Sequence, residues 1–595
     1  MKKTTPYFNK SLLAATAVLS MSNVNAIQFY AGDIEGSFDS QISMGSSWRV
    51  ESQDETLTVA GNNEDGNRNF SGGDTFSQIF KGSHDLQVSY QNFGGFIRGK
   101  YWYDSALENN SVDYGHTSTA TTAGQVPGVG TSLSYNSNQK LDDSGFNDLA
   151  KFSGAELLDA FVYGEFEVAD MPLDMRIGKQ VVSWGESTFI FGGINAINPV
   201  DVSAFRRPGA EIKEGLIPVN MAYANMGVTD DLSVEAFYQL EFQETVIPGC
   251  GTYFATNDYA PEGCEYAITQ AGALTRVDDQ KASADGQFGM AFRYIIGDTE
   301  FGLYAMNIHS RAPVVSGVTA SAADYGPLVP GLMTDYGLTQ QQAGGIAKAA
   351  FTNYFVSYPE DIQLAGLSFA TNVGGMALSG EVSHKKDLPV QINSTQLITA
   401  ALAGTTAGLA SKGLVSAELD AAAALAENGG VLQGYNQFDV SQIQITGIKF
   451  FDQVAGASRV TLITEAGYTL IHDFEEGEGV TKYGRAGLYD VDGAADDGFV
   501  TESSWGYRAR VVANYSDVFA GINLKPVLAW SHDVKGFAPQ PGGAFREGQQ
   551  SLGVTLNADY LATYNASIGY TQFMGGDYSV ISDRDFASIS VGMQF

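Results

Sequence analysis

One stretch concentrates the residues that could do chemistry. Between residues 185 and 218 the chain carries Asn198-Pro199-Val200-Asp201, then Arg206-Arg207-Pro208-Gly209, then Glu211, Lys213 and Glu214. Charge of both signs beside turn formers suits a segment folded into a lumen, where it narrows a pore and sets selectivity by charge. The alternative is a surface cap held by its own salt bridges. Asp201, Arg206, Arg207, Glu211, Lys213 and Glu214 are therefore candidate constriction residues. A second set follows from strand parity: Arg98, Lys100, Arg176, Glu235, Glu241, Arg508 and Arg510, with Asp159, Glu165 and Glu465, are expected on one interior face. Mixed rows of charge can guide a solute through a pore, or pair with each other across the wall in a purely structural role.

Other reactive residues point to less. Cys250 and Cys264 fall in one loop, GCGTYFATNDYAPEGC. In an oxidising compartment they are expected to form a disulfide, worth roughly 3 kcal/mol in the chain-entropy model. A metal site is the rival, but two sulfurs without a nearby His make a poor ligand set. His309, His384, His472 and His532 each end an outward-running strand, on alternate strands. Neighbours are expected about 10 Å apart around a rim, too far for a shared metal, and to serve as interfacial side chains. Asp490-Val491-Asp492-Gly493 with Asp496 and Asp497 resembles a calcium loop without its spacing or terminal Glu. No nucleophile elbow, phosphate loop or dinucleotide fingerprint is present, so neither an enzyme nor a cofactor is expected. A net charge of −34 argues against nucleic acid as partner.

The elements that must position these residues are strands. In residues 34–50, Ile34, Phe38, Ile42, Met44, Trp48 and Val50 share one parity, and Glu35, Asp39, Gln41 and Arg49 the other. Such alternation marks a strand with a different solvent on each face. The chain ends on FASISVGMQF with the same pattern. In water a half-apolar terminal strand would be an aggregation hazard; in a membrane it closes a barrel. Similar runs recur along the chain, joined by short turns (Gly94-Gly95, residues 169–172, Thr229-Asp230-Asp231, Gly297-Asp298) that alternate with long polar loops. The expected fold is all-β: a transmembrane antiparallel β-barrel of about 18 strands, with short periplasmic turns and long outer loops containing some helix. The closing strand should run down to the periplasm and pair with residues 34–50, its Ile589 and Val591 facing lipid. Helix is expected at residues 416–427, ending at Asn428-Gly429, and in short pieces within 327–352. These form either a lid packed over the mouth or an apolar funnel for a greasy solute.

Residues 1–26 read as a secretory signal peptide: Lys2, Lys3 and Lys10, a short apolar run, then Val24-Asn25-Ala26. Residues 27–595 then form a single outer-membrane barrel domain. Outer-membrane lipid is its expected surrounding.

The blocks RIGKQVVSWGESTFIFGGINAINPVDVSAFRRPGAEIKEGLIPV, VEAFYQLEFQET, CGTYFATNDY and YPEDIQLAGLSFATNVGG, with the opening IEGSFDSQISMGSSWRV, resemble the bacterial domain-of-unknown-function family 1302. The likeness covers nearly the whole chain after residue 26 and is weakest at residues 397–430. It implies an outer-membrane-type protein. Some members resemble parts of systems that accompany large inner-membrane exporters and the partner family numbered 1329, in handling hydrophobic compounds. The resemblance assigns no catalytic residue. Two functions follow as expectations: a channel for a hydrophobic or amphipathic solute, or a non-conducting barrel that docks a periplasmic or lipoprotein partner of an envelope transport complex.

Overall fold

The computed structural model describes residues 27–58, 65–113, 138–269, 272–403, 415–490 and 497–595. The leader-like residues 1–26, most of the acidic 490–497 stretch and the middle of the 397–430 loop lie outside them.

Eighteen antiparallel strands close on themselves. They are β1 (Ile34–Arg49), β2 (Thr75–Tyr90), β3 (Phe93–Asp104), β4 (Ser153–Val168), β5 (Met171–Gln180) and β6 (Val219–Gly227). Then come β7 (Leu232–Gln239), β8 (Phe288–Ile296), β9 (Thr299–Ile308), β10 (Ile362–Val373), β11 (Met376–Gln391) and β12 (Tyr435–Asp452). The last six are β13 (Arg459–Ile471), β14 (Ser503–Phe519), β15 (Ile522–Lys535), β16 (Gln550–Tyr560), β17 (Tyr564–Met574) and β18 (Phe586–Gln594). Each pairs with its neighbours in order, and β18 pairs with β1 from Gln41↔Gln594 to Arg49↔Phe586. Closure leaves no backbone edge to be satisfied in lipid. A short strand, Ile27–Ala31, pairs with the lower end of β1.

Alternation sets the two faces. Outward positions carry Ile97, Val162, Ile177, Leu303, Leu367, Ile443, Val554, Ile568 and Ile589, all well exposed. Tyr103, Tyr238, Tyr468 and Trp505 flank this belt at the loop end, and Phe93, Phe166, Phe301 and Tyr560 at the turn end. An apolar band between aromatic girdles is the surface a barrel presents to a bilayer. Ile589 is 45% exposed whereas its neighbour Ser590, facing inward, is 6% exposed, the orientation the alternation of the closing strand demands.

The reversals are short on one side. Ala169 and Asp170 (φ 54° and 63°), and Gly374 and Gly375 (58° and 71°), have the left-handed backbone that matches strand twist. One expected turn is displaced. The reversal between β2 and β3 falls at Gln91-Asn92, and Gly94 and Gly95 belong to β3. Gly94 serves packing instead: a Cβ there would lie 2.2 Å from the ring of Tyr163. Several strands also end earlier or start earlier than alternation suggests. β2 begins at Thr75, β5 stops at Gln180 and β7 at Gln239.

The long loops build a lid at the other end. Five short strands (Tyr266–Thr269, Gly272–Arg276, Val314–Val318, Asn353–Ser357 and Val431–Leu432) form a separate sheet. Helix Ala417–Leu425 is capped by Ser416, whose hydroxyl accepts from the Leu419 N–H, and Thr339 with Gln342 forms a capping box on helix Gln340–Ala349. Leu397, Val415, Leu419 and Leu432 pack onto Val390, Val440 and Ile471 at the tops of β11, β12 and β13. The Cys250–Cys264 disulfide lies in a neighbouring buried cluster with Phe76, Phe146 and Tyr253.

Candidate functional site

Residues 181–218 leave the wall at the end of β5 and rejoin it at β6, yet their contacts reach the opposite side of the barrel. On β11, Glu381 accepts hydrogen bonds from the backbone N–H groups of Glu186 (2.6 Å), Ser187 (3.2 Å) and Ile194 (2.9 Å). On β13, Glu465 accepts from those of Thr188 (3.0 Å), Phe189 (2.5 Å) and Ile190 (3.1 Å). Both carboxylates are buried, at 3% and 2% exposure. Charge-assisted bonds of this kind are about twice as strong as neutral ones, so two inward glutamates suffice to hold one turn-rich stretch. The chain then crosses back to β1, β2, β3 and β18. Lys81 bonds the Glu214 carboxylate (2.6 Å) and the Gly209 carbonyl (2.8 Å), and Lys100 pairs with Asp201 at 3.2 Å. β3 and β12 are nine strands apart in an 18-strand closed sheet, so the segment spans the lumen.

Glycines in the wall map where it presses. A Cβ built on Gly45 of β1 would strike Pro208, one on Gly289 of β8 would meet Trp184, one on Gly366 of β10 would strike Ile194, and one on Gly467 of β13 would meet Ile190. On β16 and β17 the result differs. A Cβ on Gly553 would meet only Ala529, and the atoms nearest to one on Gly569 belong to Thr555 and Ser588, all in the wall. At these positions of β16 and β17 the inner face is therefore small and not covered by the segment.

The six constriction residues divide by environment. Asp201 is fully buried, pairs with Lys100, and accepts from the Ala204 N–H to cap helix Val202–Arg206. Arg206 lies over the Phe254 ring at 4.4 Å. Arg207 lies over Trp102 at 4.7 Å and donates to the carbonyl of Leu149 (2.8 Å). Glu214 is bound to Lys81. Glu211 and Lys213 pair at 3.3 Å, both engage Gln41 of β1, and both remain about a third exposed, at 38% and 32% of their side chains.

Among the parity residues, Arg98 pairs with Asp85 (2.7 Å) and Asp159 (3.2 Å), and Arg508 with Asp533 (2.7 Å). Glu235 is a hub: it accepts from Trp184 Nε1 (2.7 Å), Tyr223 Oη (2.8 Å) and Arg293 Nε (2.7 Å). Arg176 lies over Tyr223 at 4.4 Å. Arg510 is exposed on the inward parity of β14, and Glu165 is exposed on that of β4. Glu241 lies beyond the end of β7, in the outer connection, where it binds the backbone and side chain of Asn220. Reading β7 as far as Glu244 misplaces it, because the strand ends at Gln239 and its last bond to β6 is from the Leu240 N–H to the Asn220 carbonyl (2.8 Å).

Glu381 was not singled out by parity among the candidates; its signal is an inward carboxylate between small inward residues, Ser379 and Ser383. Arg311 was missed too. It arrives from an outer loop and donates to the Ile197 carbonyl (3.1 Å), the Gln243 carbonyl (2.8 Å) and Gln239. Burial pulls its guanidinium down to about 10, so it stays charged at neutral pH.

Two histidine expectations need correction. His384 and His472 both bond Ser441 Oγ, at 3.0 and 2.8 Å, and their rings are 5.6 Å apart, not about 10 Å. The strands keep their spacing, but both side chains lean over the intervening β12. His309 is not interfacial: it is 1% exposed, with Asp361 N–H bonded to Nδ1 (3.1 Å) and Nε2 2.8 Å from the Asp285 carbonyl. Among the described residues no three His, Cys, Asp or Glu side chains are placed to hold a metal.

The family model for the protein of unknown function DUF1302 matches residues 7–595. The chain belongs to that family. No curated protein matches it. Among solved structures, Acinetobacter baumannii OccAB3 is 8% identical, with 94% of this chain and 99% of that chain covered and a TM-score of 0.41. Pseudomonas aeruginosa OccK1 (OpdK) is 10% identical over 95% and 100%, TM-score 0.38. P. aeruginosa OccK2 (OpdF), solved with glucuronate, is 8% identical over 96% and 99%, TM-score 0.38. Likeness at this level says nothing about what this barrel carries.

Proposed function

We propose that this DUF1302 protein is an outer-membrane channel for a small amphipathic or hydrophobic solute, exported across the inner membrane behind a cleavable leader. The observation that carries the reading is the segment across the lumen. It is held inside the barrel by side chains of opposite walls and leaves the inner face of β16 and β17 uncovered at Gly553 and Gly569. A barrel that served only as a platform has no need of a charged partition inside it. The lid offers an apolar hollow of about 350 Å³ lined by Ile392, Leu419, Ala422, Leu425 and Leu432, which supports a solute with an apolar body. Leu425 beside it is 90% exposed.

Reconstitution in a planar bilayer tests this. Conductance in the intact protein, raised when residues 199–214 are deleted, is the expected result. No conductance in either form sinks the channel, and recovery of a defined periplasmic or lipoprotein partner by cross-linking would then favour docking. Uptake of fatty acids, sterols and aromatics by a strain lacking the protein identifies the solute class.

A further inference from the structure

On the barrel's inner wall Arg176 and Arg510 differ from the other arginines in having no ion pair among the described residues, and Arg176 is the one of these two set among rings. Arg98, Arg293 and Arg508 each have acidic partners within 3.2 Å. Among the described residues, no carboxylate lies within 4 Å of the Arg176 guanidinium. The nearby Glu235 is already taken by Trp184, Tyr223 and Arg293. What surrounds Arg176 is aromatic. Register places it between Tyr163 of β4 and Tyr223 of β6 in one row around the wall. Its guanidinium carbon is 4.4 Å from the Tyr223 ring centre and 5.9 Å from that of Phe161. Phe161 continues the surface to Phe96 (5.6 Å between ring centres) and Tyr163 (6.4 Å). Arg176, Phe96, Phe161 and Tyr163 are each partly exposed, so the wall is open to whatever enters the lumen.

A guanidinium presents a planar fork of donors that matches a carboxylate two bonds at a time. Rings beside it supply apolar surface that a planar or alicyclic body can cover. The rings also hold the guanidinium by cation–π attraction, beside its hydrogen bond with Tyr223. We propose that this wall binds an amphipathic anion, a carboxylate carried on an aromatic or alicyclic body, and so selects the solute. The inference rests on the channel reading but is tested apart from it. Asp174 and Glu165, paired across β4 and β5 toward the turns, oppose an anion there and limit its affinity.

The test is a binding titration of the full chain in detergent by saturation-transfer NMR, with benzoate, benzyl alcohol and benzylammonium as probes. Heat-modifiable mobility on a gel confirms that each variant is folded. Benzoate should bind at least tenfold more tightly than benzyl alcohol, and benzylammonium most weakly. Arg176→Gln should remove that preference while leaving benzyl alcohol unchanged, and Arg176→Lys should retain part of it. Phe161→Leu should weaken both uncharged and anionic probes, and Asp174→Asn should tighten benzoate. Equal binding of benzoate and benzyl alcohol, undiminished benzoate binding in folded Arg176→Gln, or no benzoate binding at all overturns the proposal. Benzoate binding to a barrel that fails to conduct sinks the channel reading and leaves the site standing. Conductance without benzoate binding does the reverse.

Discussion

The two glutamates that hold the lumen segment invite a direct perturbation. Glu465 accepts from three consecutive backbone N–H groups, one on Oε1 and two on Oε2. In Glu465→Gln the amide oxygen can keep the pair on one side, but its NH₂ then faces the N–H of Thr188. One charge-assisted bond is lost, about 1.5–3 kcal/mol, and the two that remain become neutral and weaker. At 1.4 kcal/mol per tenfold, release of residues 186–194 from the wall becomes roughly 10- to 150-fold more frequent. Glu381→Gln removes a similar bond from Glu186, Ser187 or Ile194. The sites share one short stretch, so the double variant should exceed either single one without summing. Two readouts report the change. Amide hydrogen exchange at residues 186–194 should accelerate by that factor, with the β11 and β13 amides unchanged. Single-channel records should show more frequent visits to a larger conductance. Unchanged exchange in the double variant refutes the anchoring argument, whatever the conductance does. Faster exchange with unchanged conductance refutes the idea that this segment limits flow.

Arg49→Ala should destabilise the closure of the barrel mouth. Arg49 is fully buried, donates to the Phe70 carbonyl and to Asn67, and pairs with Asp583 at 2.9 Å. Removing one partner of a buried pair costs about 3–5 kcal/mol, read as a lower temperature for loss of heat-modifiable mobility. Replacing Cys250 and Cys264 with Ser should make the 250–264 loop readily cleaved by protease while β1 to β18 stay intact, since the bridge closes that loop alone. Glu262, in the same loop, supplies a pH test. Burial, against the pull of Lys281, holds its carboxyl above the ordinary 4.5. A raised folded-state value means its stabilising contribution is complete below about 4.5 and is lost as pH rises through the folded value. Protease cleavage of the loop should therefore increase across that window in the native protein and remain flat in Glu262→Gln.

Much of the architecture follows from local pattern. The alternation in Ile34–Arg49 and in Phe586–Gln594 obliges each strand to face two solvents, and a period of two is readable from any ten residues. Closure of β18 on β1 then follows from an even strand count. The helix at Ala417–Leu425 is equally local, because Ser416 and the Asn428-Gly429 stop lie next to it. Tertiary structure alone decided where the charged segment goes. Dense charge with turn formers suits a lumen or a surface equally. The choice rests on Glu381 and Glu465, which lie between 187 residues (Glu381 to Ile194) and 277 residues (Glu465 to Thr188) from the N–H groups they bind. The same holds for Gly94, which looks like a turn until the Tyr163 ring lies over it, and for His384 and His472, whose approach depends on Ser441 between them. It holds for Arg176 as well. Parity turns it inward, but only the register of β4, β5 and β6 sets it among rings with no acid paired to it among the described residues. Alternation is a property of neighbours in the chain. Which side chain stands opposite a loop is a property of register and closure, which no short stretch contains.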